Sequence, residues 1–387
     1  MTPAARVAAA IEVLDDILAG QVAEKALTGW GRAHRFAGSK DRAAIRDHVF
    51  QALRCRASYG WLGGADTGRG IMLGAMRAAG EVEAIFTGEG HAPAPVAEGE
   101  DGAPLDAADR PQRLDCPAWM LPLFDDRFGD SADDILSTLQ SRAGVFLRVN
   151  LRKGSVAEAA AAMQAEDIET AKVDGIDTAL QVIRNERRVA QSAAYAQGLV
   201  EVQDTSSQAA IAAAGVASGG RWLDYCAGGG GKALALADRG AVVTAHDIDA
   251  GRMRDIPARA ARADVDIEVR DSAALRDVPV FEGVFCDAPC SGSGTWRRTP
   301  EAKWALTQDR LQDLTQMQDD VLRASAAHVA PGGTLIYATC SVFRAENEDR
   351  VAAFLAQNTD FALSEDRQIA PNPQGDGFYW ARLIRRK

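Results

Sequence analysis

Two cysteines stand where strand-like runs stop. In GTLIYATCSV (333–342), Leu335, Ile336 and Tyr337 are strand formers behind the turn at Gly332-Gly333, and the apolar run breaks at Thr339-Cys340-Ser341. FCDAPCSGSGTW (285–296) repeats the arrangement with Asp287 and Cys290. An unperturbed thiol, with a pKa near ~8.5, is only a few per cent thiolate at neutral pH, so a working thiol needs a site that stabilises its anion. Beside a methyl donor, such a thiolate could activate a cytosine. Added to C6 of a cytosine, it converts the ring to an enamine whose C5 can attack the methyl carbon. An acid beside N3 favours the addition, and a second thiol can assist the release. Cys286, inside its strand, reads as core. A zinc site from Cys226, Cys286, Cys290 and Cys340 would contain only one close pair, so no metal is expected.

LDYCAGGGGKALALA (223–237) supplies a strand, a glycine loop and a helix, the arrangement that brings backbone N–H groups to an anionic ligand. A P-loop fails, because Cys226 and Ala233 stand where Gly and Ser or Thr are needed. A dinucleotide fingerprint fits loosely through Gly228, Gly230, Ala233 and the later Asp247. S-adenosylmethionine (SAM) fits equally, with Asp247 on the ribose diol and Asp271 accepting from the adenine amine. From these residues alone, an NAD-dependent dehydrogenase and a SAM-dependent enzyme both stand, and each acid could instead be a helix cap.

The elements that must hold these groups follow from periodicity. After Gly219-Gly220, the runs RWLDYCAG, AVVTAHDID, VDIEVRD, GVFCDAP and GGTLIYATC alternate with helical or loop segments. That order predicts an α/β fold, a doubly wound sheet with ligands outside the carboxyl ends of its strands. If the fourth and fifth runs are neighbours, Cys290 and Cys340 face each other. Residues 1–85 read as helical; Ile45, Val49 and Leu53 share one face. The Gly-, Pro- and acid-rich segment 88–111 reads as a mobile loop or linker. A small mixed module follows, and Asp204, Thr205 or Ser206 caps the helix after it. The expected domains are 1–140, 144–204 and 205–387.

The chain has 387 residues, 47% hydrophobic and 25% charged, enough for two or three cores. No apolar run would span a bilayer, and the apolar pattern of the first 20 residues carries acids, unlike a signal peptide. Six scattered cysteines suggest free thiols in the cytosol, not a disulfide framework. A net charge of −11 counts against a protein that coats nucleic acid non-specifically, although a local basic groove is compatible with it. Arg297 and Arg298, just after the Cys290 loop, are the expected phosphate contacts. Trp296, Trp304 and Phe378 read as core before stacking platforms. Monomer is the default state.

The stretches CAGGGGK, AHDID, RDSA, DAPCSGSGTWRRTPEAKW and GGTLIYATCSVFRAENED resemble the motifs of RNA cytosine-5 methyltransferases, most closely the bacterial 16S ribosomal RNA enzymes. GSKDRAAIRDHVFQALR is similar to the signature of their NusB-like helical domain, and VQDTSSQ to the entrance of their catalytic domain. The resemblance implies a NusB-like RNA-binding domain, a small RNA-binding α/β module and a Rossmann-like SAM domain. It implies Cys340 as the nucleophile and Cys290 as the thiol that helps release the product. It also implies that Cys226, Ala227, Gly228, Gly229, Gly230, Gly231, Lys232, Asp247, Asp271 and Asp287 hold SAM, with Asp287 also close to the base. Transfer RNA is the rival substrate, and a non-catalytic assembly factor is the rival class. Gly228 and Gly229 replace the family's usual Ala-Pro, which should cost about 0.5–1 kcal/mol per position in loop ordering and weaken SAM binding.

Overall fold

The computed structural model describes residues 1–276 and 278–387, which form two compact units. The first comprises Met1–Arg142 together with Trp296–Leu306, and the second Ala143–Thr295 with Thr307–Lys387.

The first unit is helical. Its main helices are α1 (Pro3–Leu18), α2 (Ala23–Ala33), α3 (Ser39–Arg54), α4 (Arg56–Gly63) and α5 (Gly68–Ala79). The stripe of Ile45, Val49 and Leu53 read from the sequence is the buried core face of α3; on α1, Val7 and Leu14 are buried and Ile11 and Leu18 half-buried. The segment 88–111 is not the free linker its composition suggests. Arg69 forms an ion pair with Glu100 at 2.5 Å, and Arg77 donates to the carbonyls of Leu62 and Glu100, each at 2.6 Å. Two arginines on α5 thus anchor the segment from outside, in addition to its own turns, such as Gly88 N to the Pro93 carbonyl and Ala97 N to Glu100.

Trp296–Leu306 packs in this unit as well. Arg54 Nε donates to the carbonyl of Arg297 at 2.6 Å, Lys303 Nζ to that of Arg54 at 3.2 Å, and Trp304 Nε1 to that of Leu53 at 2.7 Å. Arg297 is only 1% exposed and Arg298 half-buried. The expectation that Arg297 meets phosphate at the surface is therefore corrected: its chain segment is pinned by Arg54 and its side chain is buried. Trp296 is core, as read.

The second unit holds two sheets. The smaller contains β1 (Val145–Val149), β2 (Glu169–Lys172), β3 (Ala179–Arg184) and β4 (Val200–Val202), ordered β2-β3-β1-β4 and antiparallel throughout. The larger contains β5 (Arg221–Asp224), β6 (Val242–His246), β7 (Ile267–Arg270), β8 (Phe281–Asp287), β9 (Val329–Thr339), β10 (Phe361–Ile369) and β11 (Phe378–Arg385). Its order is β10-β11-β9-β8-β5-β6-β7. The five strands expected from alternation are the parallel ones, and β8 and β9 are neighbours. The antiparallel pair β10–β11, not read from the sequence, extends the sheet beyond β9 and places Phe378 in the core. The chain leaves β5 toward β6 on one side and returns to β8 on the other, so the switch point lies between β5 and β8.

The small sheet is tied to the large one by charge. Arg148 of β1 pairs with Asp238 at 2.7 Å, both nearly buried, and Glu201 of β4 accepts from Arg259 and Arg262. Asp204 caps the helix Thr205–Ala213 by accepting from Ser206 N. Among the described residues, no helix is long and apolar enough to cross a membrane.

Candidate active site

Register decides where the reactive groups meet. Asp287, the last residue of β8, lies opposite Ala338 of β9, and Ala288 N donates to the Ala338 carbonyl at 2.8 Å. Three residues beyond Asp287 on one strand and two beyond Ala338 on the other come Cys290 and Cys340. Their Sγ atoms are 3.4 Å apart, and Gly294 N donates to the Cys340 carbonyl at 2.9 Å. Four hydroxyl or amide donors then converge on buried Glu346, which the loop after β9 carries.

The two thiols are electrostatically unequal. The hydrogen bond from Cys290 holds Cys340 below the ordinary thiol range, against burial and the Asp287 charge, and Lys232 and Thr295 add to the lowering. The same hydrogen bond, with burial and Glu346, drives Cys290 far upward. Cys340 is therefore the thiol biased toward the anion and Cys290 the one biased toward S–H. Burial pushes Cys55 and Cys116 up to about 12, and Cys226 is raised first by its hydrogen bond to Cys286. Among the described thiols, only Cys340 is shifted toward the reactive form.

Lys232 Nζ lies 2.5 Å from Asp287 Oδ2. Burial works against the lysine's charge, and the Asp287 carboxylate more than reverses it, so its pKa is raised. Lys232 reaches this position from the helix Gly231–Asp238, whose first residue follows Gly230. Gly230 has φ +82°, and a Cβ there would lie 2.8 Å from Ile256 Cγ1, so only glycine fits. Gly228, at φ +50°, donates its N–H to Asp247 Oδ2 at 2.9 Å. The departure from Ala at this position thus has a local reason: the loop here takes a left-handed turn that an L side chain resists. Gly229 offers its carbonyl to Arg259. Ala227 is buried, Cys226 half-buried.

Asp247, at the carboxyl end of β6, is nearly buried and also accepts from Asp249 N at 3.0 Å while pairing with exposed Arg252. It orients the glycine loop, and a carboxylate has lone pairs left for a diol. Asp271 is exposed and caps the short helix Ser272–Leu275, with Oδ1 accepting from Ala273 N and Ala274 N. The helix-cap alternative therefore describes its present bonding.

Asp224 was not singled out from the sequence. It ends β5 at the switch point, is completely buried, and has no side-chain hydrogen-bond partner on either carboxylate oxygen, the Ala233 N–H being the one donor directed at it. Burial, then the charge of Asp287, pushes its pKa up to about 7. A buried carboxylate with no side-chain donor, two residues before the glycine loop, suits a ligand carrying positive charge. SAM is such a ligand, with its ammonium and sulfonium groups, so the residues present fit it. A polar residue within an apolar strand was the available signal, masked because strand-end acids are common.

Comparison with known proteins now supplies the family. Residues 215–384 match the model described as 16S rRNA methyltransferase RsmB/F, and residues 116–190 its ferredoxin-like domain. Ribosomal RNA small subunit methyltransferase B of Xylella fastidiosa is 35% identical over 289 residues, 70% of this chain and 68% of that protein. This chain belongs to the RsmB/F methyltransferase family. The namesake from Klebsiella pneumoniae is 32% identical over 286 residues, covering 70% of this chain and 66% of that protein. In fold, PH0851 covers 100% of this chain and 99% of its own at a TM-score of 0.77 and 22% identity. NSun6 from Pyrococcus horikoshii, solved with SFG, covers 70% and 98% at 0.62 and 15%. The chain is a SAM-dependent methyltransferase, and the dehydrogenase alternative falls away.

Proposed function

We propose that this enzyme methylates C5 of a cytosine in 16S ribosomal RNA through a covalent bond between Cys340 Sγ and C6 of the base. The observation that carries the reading is the pair of sulfurs 3.4 Å apart, of which Cys340 alone is shifted toward thiolate. Its relatives named for the small-subunit RNA support the substrate. Cys340 Sγ adds to C6 while the Lys232–Asp287 pair shares a proton with N3, where negative charge develops. SAM supplies an electrophilic methyl carbon. The resulting enamine directs C5 to that carbon. Water then takes the C5 proton, the C–H electron pair re-forms the C5–C6 double bond as the C6–S bond breaks, N3 returns its proton to the Lys232–Asp287 pair, and Cys340 Sγ leaves as a thiolate beside Cys290 S–H. Asp224, Asp247 and the backbone of residues 226–231 hold the methyl donor, and Asp271 is the proposed contact for its adenine.

The division into a NusB-like domain over 1–140, an RNA-binding module over 144–204 and a catalytic domain over 205–387 belongs to the same proposal. So do action as a monomer and location in the cytoplasm, where ribosomal RNA is modified. The expected RNA-binding role of Arg298 stands with it. That of Arg297 does not, because its side chain is buried.

A covalent trap tests the reading. Wild type, Cys290→Ala and Cys340→Ala are incubated with SAM and small-subunit RNA or bulk transfer RNA, then resolved on a denaturing gel. Cys290→Ala should accumulate a protein–RNA adduct with the ribosomal RNA, and Cys340→Ala should form neither adduct nor product. The reverse pattern would exchange the thiols' roles, an adduct with transfer RNA alone would move the substrate, and RNA binding without adduct or methyl transfer in any variant would favour an assembly factor.

A further inference from the structure

Glu346 is completely buried, and its carboxylate is the point at which the two thiol-bearing loops meet. Its Oε1 accepts from Ser291 N at 2.8 Å and Gln318 Nε2 at 3.0 Å. Its Oε2 accepts from the hydroxyls of Ser291 and Ser341. Ser291 follows Cys290 in the chain, and Ser341 follows Cys340. One carboxylate therefore grips the immediate neighbour of each thiol. The network continues on both sides: Gln318 Nε2 also donates to the Pro289 carbonyl at 2.9 Å, and Ser293 Oγ lies 2.9 Å from Ser341 Oγ while accepting from Val342 N. Tyr337 Oη donates to the Glu346 carbonyl at 2.7 Å, which fixes the backbone that presents the carboxylate.

Asn347 provides the contrast. Its side chain accepts from Thr339 Oγ1 and donates to the Ser341 carbonyl and to Gln368 Oε1, so of the two thiol loops it braces that of Cys340 alone. Glu346 spans both. A strand pair sets the direction in which two loops leave a sheet; it does not set the separation of groups two and three residues beyond its last paired residues. Four donors on one buried carboxylate can, because each unmade bond would leave a buried polar group unsatisfied.

We infer that Glu346 is a positioning residue that holds Cys290 and Cys340 at reacting distance through Ser291 and Ser341. The inference rests on the proposal that these thiols do the chemistry, but thiol spacing can be measured without catalysis. Diamide, a diazene oxidant, takes up two electrons and two protons as the two S–H groups become one S–S bond. The rate of Cys290–Cys340 disulfide formation, followed in the full chain by peptide mass spectrometry, therefore reports how often the sulfurs meet.

Glu346→Gln keeps the side chain's volume but puts an NH2 group where an acceptor is needed. Ser341→Ala removes the Cys340-side donor and leaves the carboxylate, and it decides the question if Glu346→Gln does not fold. Both should slow disulfide formation and single-turnover methyl transfer by about tenfold or more, while S-adenosylhomocysteine affinity stays within about twofold of wild type. An unchanged disulfide rate in a folded variant would overturn the positioning role. Methyl transfer by Cys340→Ala would instead sink the proposed chemistry and leave the disulfide result standing.

Discussion

Replacing Lys232 by Met keeps the length of the side chain and removes its charge. The ammonium lies 2.5 Å from Asp287 Oδ2, and the two side chains are 20% and 25% exposed. With charge centres roughly 4 Å apart and an effective dielectric near 20, the attraction is about 4 kcal/mol. Partial exposure and the desolvation that Lys232 no longer suffers offset about half of this, so the expected loss is about 2 kcal/mol. For a unit of this size, that corresponds to a fall of about 4–8 °C in Tm. Thermal unfolding of Lys232→Met, Asp287→Asn and the double variant measures the pair directly, because removing both charges should cost less than the two single losses added together. Lys232 also lowers the Cys340 pKa, so iodoacetamide should alkylate Cys340 more slowly in Lys232→Met at pH 7.5. A coupling energy below about 0.5 kcal/mol, together with unchanged Cys340 reactivity, would refute the electrostatic account.

Asp224→Asn should stabilise the ligand-free protein increasingly as pH rises. The folded pKa is about 7 and the unfolded value near ~3.9, so between these the native state binds the extra proton and wild-type stability falls with pH. The advantage of the variant should be near zero at about pH 4 and reach about 4 kcal/mol at most above pH 7, where denaturant unfolding would expose a flat difference if the reasoning fails. Alkylation followed by peptide mapping should place the thiolate transition of Cys340 below that of an ordinary thiol and that of Cys290 far above it, and Cys290→Ala should move Cys340 upward; equal profiles would remove the asymmetry on which the mechanism depends. Gly230→Ala forces φ +82° on an L residue and a Cβ against Ile256, and should cost about 1–3 kcal/mol of stability and weaken SAM binding, measured by calorimetry; wild-type affinity would show that the loop relaxes freely.

Much of the catalytic sheet was legible locally. The runs ending at Asp224, Asp247, Asp271, Asp287 and Cys340 carry β-branched and apolar residues between turn signals, and each was a strand or strand end. The helix stripe of Ile45, Val49 and Leu53 was legible for the same reason, since its period is written in the chain itself. The strand β10 was missed because its exposed charges mask the alternation, and β11, buried or half-buried throughout, finds its place by pairing with β9 and β10. Arg297 read as a surface cation because charge usually means exposure; a bond from the Arg54 side chain, 243 residues earlier, to the Arg297 carbonyl put its segment in a helical core instead.

The sequence by itself therefore determined which groups exist and that each thiol would stand at a strand end, because periodicity and turn chemistry act over a few residues. Tertiary structure alone decided that the two thiols meet, that Cys290 and Lys232 shift Cys340 toward the anion, and that Asp224 lies buried beside the glycine loop without a side-chain partner. Those are properties of distance and dielectric between residues 50 to more than 100 positions apart, and no local pattern encodes them.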